Sequence, residues 1–236
     1  MIYVGTSGFI YKSWVGDFYP SDIPKYRYFE YYVKFFNSLE LNSTFYRFPK
    51  ITTMRSWKYK IKNDFKLSVK ANRIITHTKK LKCDKDYLDD FLSTVNILGE
   101  KLGAVLFQLP PSLKFDDERL EMFVSKLNKE FKYAIEFRHK SWYNDTTYQI
   151  LKKHNIALVW HDFNQEFIFE KTADFDYVRF HGYSGKYTGS YPDWVLENIA
   201  KKLNDTAFVY FNNTDDNSAF KDAMRFKKLI EEKNNF

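Results

Sequence analysis

Short runs of alternating hydrophobic and polar residues recur along the chain and predict the strands of a sheet. Alternation with a period of two is typical of strands whose two faces meet different surroundings. Eight such runs occur, at residues 2–7, 38–42, 65–71, 104–109, 133–138, 157–162, 177–181 and 207–212. Neither a linker rich in Pro, Gly or Ser nor a low-complexity segment interrupts the series. We therefore expect one domain over residues 1–236.

Apolar residues spaced three and four positions apart predict amphipathic helices between most of these strands. The predicted helices lie at residues 25–36, 86–101, 116–131, 190–203 and 217–232. The segment 163–175, after the sixth strand, has the weakest helical pattern. We expect irregular structure there.

The order of these elements indicates the fold class. Strands that alternate with helices form parallel sheets with right-handed crossovers. Eight units of about 30 residues each match the size of a strand plus its crossover helix, and this predicts a (β/α)₈ barrel of the TIM type. Neither GxGxxG nor GxxxxGK[ST] follows the first strand, which disfavours a dinucleotide-binding or P-loop fold.

Charged residues are predicted on the inner face of this barrel. In "YAIEFR" (133–138), Ile135 and Phe137 alternate with Glu136 and Arg138. Because successive side chains of a strand point to opposite faces, the apolar pair is expected to pack on helices and the charged pair to point into the barrel. Arg138 is then the nearest partner of Glu136 and an expected ligand of an anion at the mouth.

Other strands repeat this arrangement, with polar residues near their carboxyl ends. Barrel enzymes build their sites at that end. The predicted ring contains Glu40, Asn42, Lys70, Gln108, Glu136, Arg138, Asp162, Arg179, His181, Tyr210 and Asn212. Inward charges can simply pair with each other, but desolvation makes buried ion pairs poor stabilisers. We therefore interpret the ring as functional.

Each member of the ring suits a chemical role. Glu40, Glu136, Asp162 and His181 are candidate general acids or bases. The three cations, Lys70, Arg138 and Arg179, either bind an anionic substrate or only neutralise the acids, and both interpretations remain open. The other predicted substrate-binding residues are Asn42, Gln108, Tyr210 and Asn212.

A divalent metal ion is possible at this ring but is not favoured. Carboxylates and His181 could ligate one. However, the chain contains neither HxH nor HExxH, His181 is the one histidine that we expect to point strongly inward, and three nearby cations would repel the ion. The sequence therefore identifies no cofactor.

Composition bears on location and partners. Cys83 is the only cysteine, which excludes an internal disulfide and fits a reducing compartment. We find no secretory signal and no apolar stretch of membrane-spanning length, so a soluble, cytoplasmic protein without a membrane partner is expected. The net charge of +7 fits either a lysine-rich solvated surface or a nucleic acid or other polyanion as partner.

Two loops are predicted at the carboxyl-end face. The first, "KANRIITHTKKLKCDK" (70–85), has six basic residues against one acid, Asp84, and could follow phosphates. The second, "HGYSGKYTGSYPDW" (181–194), combines three glycines with Tyr183, Tyr187, Tyr191 and Trp194. Such a loop suits a lid or a base-stacking edge, or is simply packed on the barrel.

Six stretches also resemble the motifs of the domain of unknown function 72, or YecE-like, family. They are "GTSGFIYKSWVGDFYP", "FNSLELNSTFYRFP", "LGAVLFQLPPSL", "IEFRHKSW", "RFHG" and "VYFNNT". The resemblance extends from Gly5 to about Thr214 and implies a TIM-barrel-like fold, but no established reaction. By shape alone it suggests barrel endonucleases and sugar isomerases. His161, in "VWHDF", is not part of the resemblance.

Three functional hypotheses follow from the residues and the resemblance. The first is an enzyme that acts on an anionic, phosphorylated substrate, with hydrolysis of a phosphoester or nucleic acid favoured. The second is a non-catalytic nucleic-acid-binding protein. The third is a sugar or sugar-phosphate isomerase in which two inward acids shuttle protons.

Overall fold

Eight parallel strands form a nearly closed barrel with helices outside it. The computed structural model describes residues 1–163 and 166–233. The strands are β1 (Ile2–Thr6), β2 (Ser38–Leu41), β3 (Lys66–Lys70), β4 (Leu102–Gln108), β5 (Tyr133–Glu136), β6 (Ile156–His161), β7 (Asp176–Phe180) and β8 (Ala207–Phe211). The predicted fold class is confirmed, and each predicted strand is present with ends within two residues of those expected.

Eight α-helices are described around the barrel. They are α1 (Tyr28–Tyr32), α2 (Ser43–Tyr46), α3 (Ile51–Lys60), α4 (Lys85–Asn96), α5 (Asp117–Val124), α6 (Asp145–Lys153), α7 (Asp193–Lys202) and α8 (Ser218–Lys233). The predicted helices correspond to α1, α4, α5, α7 and α8, whereas α2, α3 and α6 were not predicted. In segment 163–175 the described residues contain no helix, as expected.

Hydrogen bonds join the strands in the order β1, β8, β7, β6, β5, β4, β3 and β2. The remaining gap, between β2 and β1, is crossed by a parallel bridge between Ser7 and Glu40. Lower in this seam, the Tyr32 hydroxyl accepts from the backbone N–H of Thr6 at 2.8 Å and donates to the Ser38 carbonyl at 3.1 Å. A side chain thus replaces part of a ladder between β1 and β2.

The two faces of the strands meet different surroundings, as the alternation predicts. Outward residues belong to the main core with the helices: Phe107 contacts Phe123 of α5, and Phe137 stacks on Trp142. Inward residues fill the barrel, where Tyr3 stacks on Phe208. Because the lower interior is filled with side chains, the polar site lies near the carboxyl ends of the strands.

None of the described helices is both long enough and apolar enough to cross a membrane.

Candidate functional site

Arg179 of β7 lies at the centre of the predicted ring and joins two of its acids, Glu136 and Glu40. Its Nη1 donates to Glu136 Oε2 at 2.6 Å, and its Nη2 donates to Glu40 Oε1 at 2.8 Å. All three side chains are at most 1% exposed. The Ser7 hydroxyl and the Tyr177 hydroxyl also donate to Glu40, at 2.6 and 2.7 Å. The floor of the site is therefore a fully buried charge network.

This network keeps Glu136 ionised. Burial by itself raises the pKa of a carboxyl group. The neighbouring Arg138 and Arg179 guanidinium groups outweigh that effect and hold the pKa of Glu136 well below its usual range. Glu136 is consequently a fixed anion that orients two arginines.

Arg138 follows β5 and stands above Glu136, on the inner face as predicted. Its Nε forms an ion pair with Glu136 Oε1, and its Nη2 donates to His181 Nε2 at 3.2 Å. The guanidinium carbon lies 3.8 Å from the centre of the Phe163 ring, a contact that favours Arg over Lys. The side chain is thus held on three sides.

His181, which follows β7, is held in its neutral form. Burial lowers its pKa well below the usual value, against the effect of the nearby Glu136. Because an arginine can only donate, His181 Nε2 accepts from Arg138, and His181 Nδ1 lies 3.1 Å from the side-chain nitrogen of Asn212. His181 therefore connects β5, β7 and β8.

Lys70, at the end of β3, is the least compensated charge of the ring. Its Nζ donates to Gln108 Oε1 at 2.9 Å and lies 4.4 Å from the centre of the Phe45 ring. Burial, followed by the repulsion of Arg179, lowers the pKa of Lys70 to about 7. Near neutral pH this amine can both accept and donate a proton.

The three cations Lys70, Arg138 and Arg179 line a cavity of about 330 Å³ at the carboxyl ends of the strands. It is lined by Tyr11, Asn42, Phe45, Tyr46, Lys70, Arg138, Arg179, Tyr187, Asn212, Thr214 and Asp215. Cations, amides and aromatic rings therefore share one pocket. Its size suits a small anionic molecule or one nucleotide unit of a longer chain.

Gln108 and Tyr210 support the site from below rather than lining the cavity. Gln108 accepts from Lys70 Nζ, as described above. The Tyr210 hydroxyl lies 2.6 Å from Ser38 Oγ and donates to Ser68 Oγ at 2.8 Å, so it packs one layer lower in the barrel. A substrate-binding role for these two residues remains a prediction.

Asp162 does not point into the barrel, and the prediction that it belongs to the inner ring is wrong. It accepts from the His181 backbone N–H at 2.7 Å and from the Tyr191 hydroxyl. It lines a different cavity, of about 600 Å³, beside α7. The reason is the alternation of β6: Ala157 and Val159 are inward, so the next inward position is residue 161.

His161 is the inward residue that the sequence analysis missed, and the expectation of a single strongly inward histidine was wrong. Its Nε2 donates to the Phe137 carbonyl at 2.8 Å, while its Nδ1 accepts from the Phe163 backbone N–H at 3.2 Å. Burial lowers the pKa of His161 to about 4. Counting the alternation of β6 from Ala157 would have identified it.

Glu136, His161 and His181 each bring one possible metal-ligating atom to within 4.8 Å of the others. In this arrangement the three groups do not fit a resident divalent ion. His161 Nε2 carries a proton toward Phe137, His181 Nε2 accepts from Arg138, and both oxygens of Glu136 face guanidinium groups. A cation there would replace these contacts and lie beside two positive charges.

The two predicted loops border the mouth. In loop 70–85, residues Ile74–Thr78 form a π-helical turn, and Arg73, Lys79 and Lys82 are exposed. In loop 181–194, Tyr187 adopts a φ of +68° and places its ring 5.8 Å from the centres of Phe163 and His181. The left-handed region is unfavourable for a bulky residue, and Tyr187 in this conformation lines the cavity of about 330 Å³.

Fold and site together define a (β/α)₈ barrel protein with a charged pocket at the carboxyl ends of its strands. The sequence matches the profile of the family described as "Protein of unknown function DUF72" over residues 3–236. The chain therefore belongs to the DUF72 family, and the resemblance recognised in its motifs is confirmed.

Relatives extend this assignment. The UPF0759 protein YecE of Escherichia coli K12 is 29% identical over 146 residues, which are 61% of this chain and 50% of that protein. The chain thus spans about half the length of this relative in the match.

Solved structures match over a larger part of the chain. A DUF72 family protein from Thermotoga maritima is 30% identical with a TM-score of 0.86, and the match covers 98% of this chain and 99% of that one. A DUF72 protein from Enterococcus faecalis is 18% identical, with a TM-score of 0.83 and coverage of 98% and 96%. SacUVDE, at 10% identity, a TM-score of 0.58 and coverage of 100% and 99%, shares the fold alone.

Proposed function

We propose that this protein is an enzyme that acts on an anionic, phosphorylated substrate at the mouth of its barrel, with hydrolysis of a phosphoester as the favoured reaction. The observation that carries the proposal is one cavity lined by Lys70, Arg138 and the amides of Asn42 and Asn212. Planar guanidinium groups and amides are suited to phosphate oxygens. The phosphoester belongs to a small molecule or to one strand of a nucleic acid.

Arg138 is the proposed anion ligand. Glu136, His181 and Phe163 hold its guanidinium group in place, and its Nη1 makes no hydrogen bond within residues 1–163 and 166–233. A rigid donor with an unused edge binds an anion without losing much side-chain entropy on binding. Asn42 and Asn212 would complete the contacts.

Lys70 is the proposed proton-transfer group. Its pKa of about 7 provides neutral and charged forms in similar amounts at neutral pH. The neutral amine can accept a proton from an attacking water, and the ammonium form can donate one to the leaving oxygen.

The buried network argues against the isomerase hypothesis. A proton shuttle needs carboxyl groups that change protonation during the reaction. Glu40 and Glu136 instead share the Arg179 guanidinium, and the pKa of Glu136 lies well below its usual range. These acids are therefore assigned to orienting the cations.

A nucleic-acid-binding role without catalysis is the second candidate, and two loops support it. Loop 70–85 carries exposed cations, and loop 181–194 carries Tyr183, which is 53% exposed. Basic loops with exposed rings can follow a single strand by charge and base stacking.

Turnover and binding, measured separately, test these proposals. Phosphomonoesters, phosphodiesters and short single-stranded DNA and RNA would be offered to the wild-type protein and to Lys70→Met and Arg138→Lys variants. We expect turnover by the wild type and its loss in Lys70→Met. Lys66→Met is the matched control, because Lys66 lies on the same strand at the opposite end of the barrel and donates to Glu100.

The outcomes separate the hypotheses. Oligonucleotide binding without any turnover would contradict the enzymatic proposal and favour a binding protein. If neither phosphate compounds nor oligonucleotides bind, both proposals fail.

A further inference from the structure

Lys70 has surroundings that suit a second kind of chemistry. Its Nζ has one hydrogen bond, to the neutral amide of Gln108, and takes part in no ion pair within the described chain. The Phe45 ring covers it at 4.4 Å, and the residue lines the cavity. A desolvated amine beside other cations and open to a pocket is the environment of a nucleophilic lysine.

The charged groups around Lys70 come from several elements. Arg138 follows β5 and Arg179 belongs to β7, and both disfavour the ammonium form. Glu40 of β2 and Glu136 of β5 favour the ammonium form of Lys70, but both carboxylates form ion pairs with other residues. His77 lies on the turn after β3. Burial, together with the nearby charge of Lys70, lowers the pKa of His77 to about 4, so His77 is neutral near pH 7. The balance leaves the amine without a dedicated counterion.

We propose that Lys70 forms an imine with the carbonyl group of an aldehyde or ketone whose anionic group lies on Arg138. The proposal rests on the proposed function only for the position of the anion. A molecule with a carbonyl and a phosphate separated by a few bonds fits a cavity of about 330 Å³ lined by both residues.

The reaction is balanced without an external oxidant or reductant. The lone pair of Nζ attacks the carbonyl carbon, and a proton passes from nitrogen to the former carbonyl oxygen, which gives a carbinolamine. Loss of one water molecule then forms the C=N bond. Gln108 accepts a hydrogen bond from Nζ before attack and so orients the amine without competing for a proton.

Pyridoxal 5′-phosphate followed by borohydride provides the test, because hydride reduces an imine to a stable secondary amine. The probe carries an aldehyde and a phosphate, and the modified lysine is identified by peptide mass spectrometry of the wild-type protein. We expect one principal adduct at limiting probe, on Lys70. At pH 7.5 an amine of pKa about 7 is mostly neutral, whereas an ordinary lysine is neutral in roughly one molecule in a thousand.

Controls separate the amine from the anion site. Pyridoxal without phosphate should label Lys70 at least about fivefold less, and inorganic phosphate should compete with the phosphorylated probe. Lys70→Met should lose the principal adduct, whereas Lys66→Met should retain it. Circular dichroism and thermal unfolding of each variant verify that it is folded.

Each possible result has a definite meaning. Adducts spread over surface lysines with Lys70 unmodified would overturn the imine proposal, even if phosphate binding, measured by calorimetry, remains intact. Equal labelling by pyridoxal and its phosphate would support the nucleophilic amine but contradict the anion position on Arg138. Absence of phosphate binding together with a Lys70 adduct would overturn the proposed function alone.

Discussion

Arg138 and Arg179 carry the same charge but have different roles in the site. Arg179 lies between Glu40 and Glu136 and is 1% exposed. Among the acids of the described residues, Arg138 forms an ion pair with Glu136 alone, and it lines the cavity. Since Glu136 also pairs with Arg179, Arg138 is not its only partner.

Replacing Arg138 with Lys should weaken anion binding by about 1–3 kcal/mol, the range of a charge-assisted hydrogen bond. The charge is retained, but the planar group that contacts Glu136, His181 and the ligand is lost. Calorimetric titration with inorganic phosphate measures the change. An unchanged affinity for phosphate would contradict the role of Arg138 as an anion ligand.

Removing Arg179 should harm stability far more than removing Arg138. Arg179→Met leaves Glu40 and Glu136 with one guanidinium fewer in a fully buried position, and breaking buried pairs typically costs about 3–5 kcal/mol. Arg138→Met leaves Arg179 in place and should cost less. Urea unfolding of the two variants provides the comparison, and equal losses would contradict the central role of Arg179.

His161 should make stability depend on acidity. Its pKa is about 4 in the folded protein and ordinarily 6.5, so between these values the unfolded chain binds more protons. Stability therefore falls as the pH falls from 6.5 to 4, by about 3 kcal/mol from this residue. His161→Gln should remove this contribution and make that part of the stability curve less steep. A residual slope should remain, because burial also lowers the pKa values of His77 and His181. Urea unfolding at several pH values, in the wild type and in the variant, measures the difference.

At the scale of the elements, the seam between β1 and β2 determines how close these two strands lie where the barrel closes. A Cβ atom on Gly5 would lie 2.0 Å from the Ser38 carbonyl oxygen and 2.9 Å from the Tyr32 hydroxyl. Only glycine permits this approach, because backbone oxygens cannot move away without separating the strands.

Gly5→Ala should therefore destabilise the protein by about 3 kcal/mol or more, at the upper end of overpacking effects. Gly185→Ala is the matched control: its φ is +81°, but nothing lies within 4 Å of an added Cβ. That change should cost only about 1–2 kcal/mol from backbone strain. Thermal unfolding distinguishes the two, and a larger loss for Gly185→Ala would contradict the assigned role of the seam.

For the molecule as a whole, the net charge of +7 and the basic loop 70–85 are compatible with a polyanionic partner. Lys79, Lys80 and Lys82 lie on loop 70–85 and make no ion pair among the described residues. If a nucleic acid contacts this loop, each phosphate contact releases counterions and steepens the dependence of binding on salt.

Replacing these three lysines with Ala should reduce the slope of log K against log salt by about 2 for single-stranded DNA. Fluorescence anisotropy at several salt concentrations measures the slope. An unchanged slope would assign the three lysines to the solvated surface. Circular dichroism of the triple variant controls for loss of folding.

The sequence alone was sufficient for the barrel and for most of its inner ring. Strand positions follow from a period of two that depends only on neighbouring residues, and eight strand–helix units allow few topologies. The inward placement of Glu40, Glu136 and Arg179 follows from the same alternation. The four-residue helix α2 was not predicted, because so short a helix depends on tertiary packing more than on a local pattern.

Contacts between distant strands determined the rest. Alternation shows which face a residue occupies, but not which of several acids pairs with which cation. Three features of the site depend on distances between strands. Glu136 pairs with both Arg138 and Arg179. Asp162 accepts from Tyr191, and Lys70 donates to Gln108 without forming an ion pair among the described residues. Those distances follow from strand register and barrel closure, which join residues far apart in the chain and leave no local pattern in the sequence.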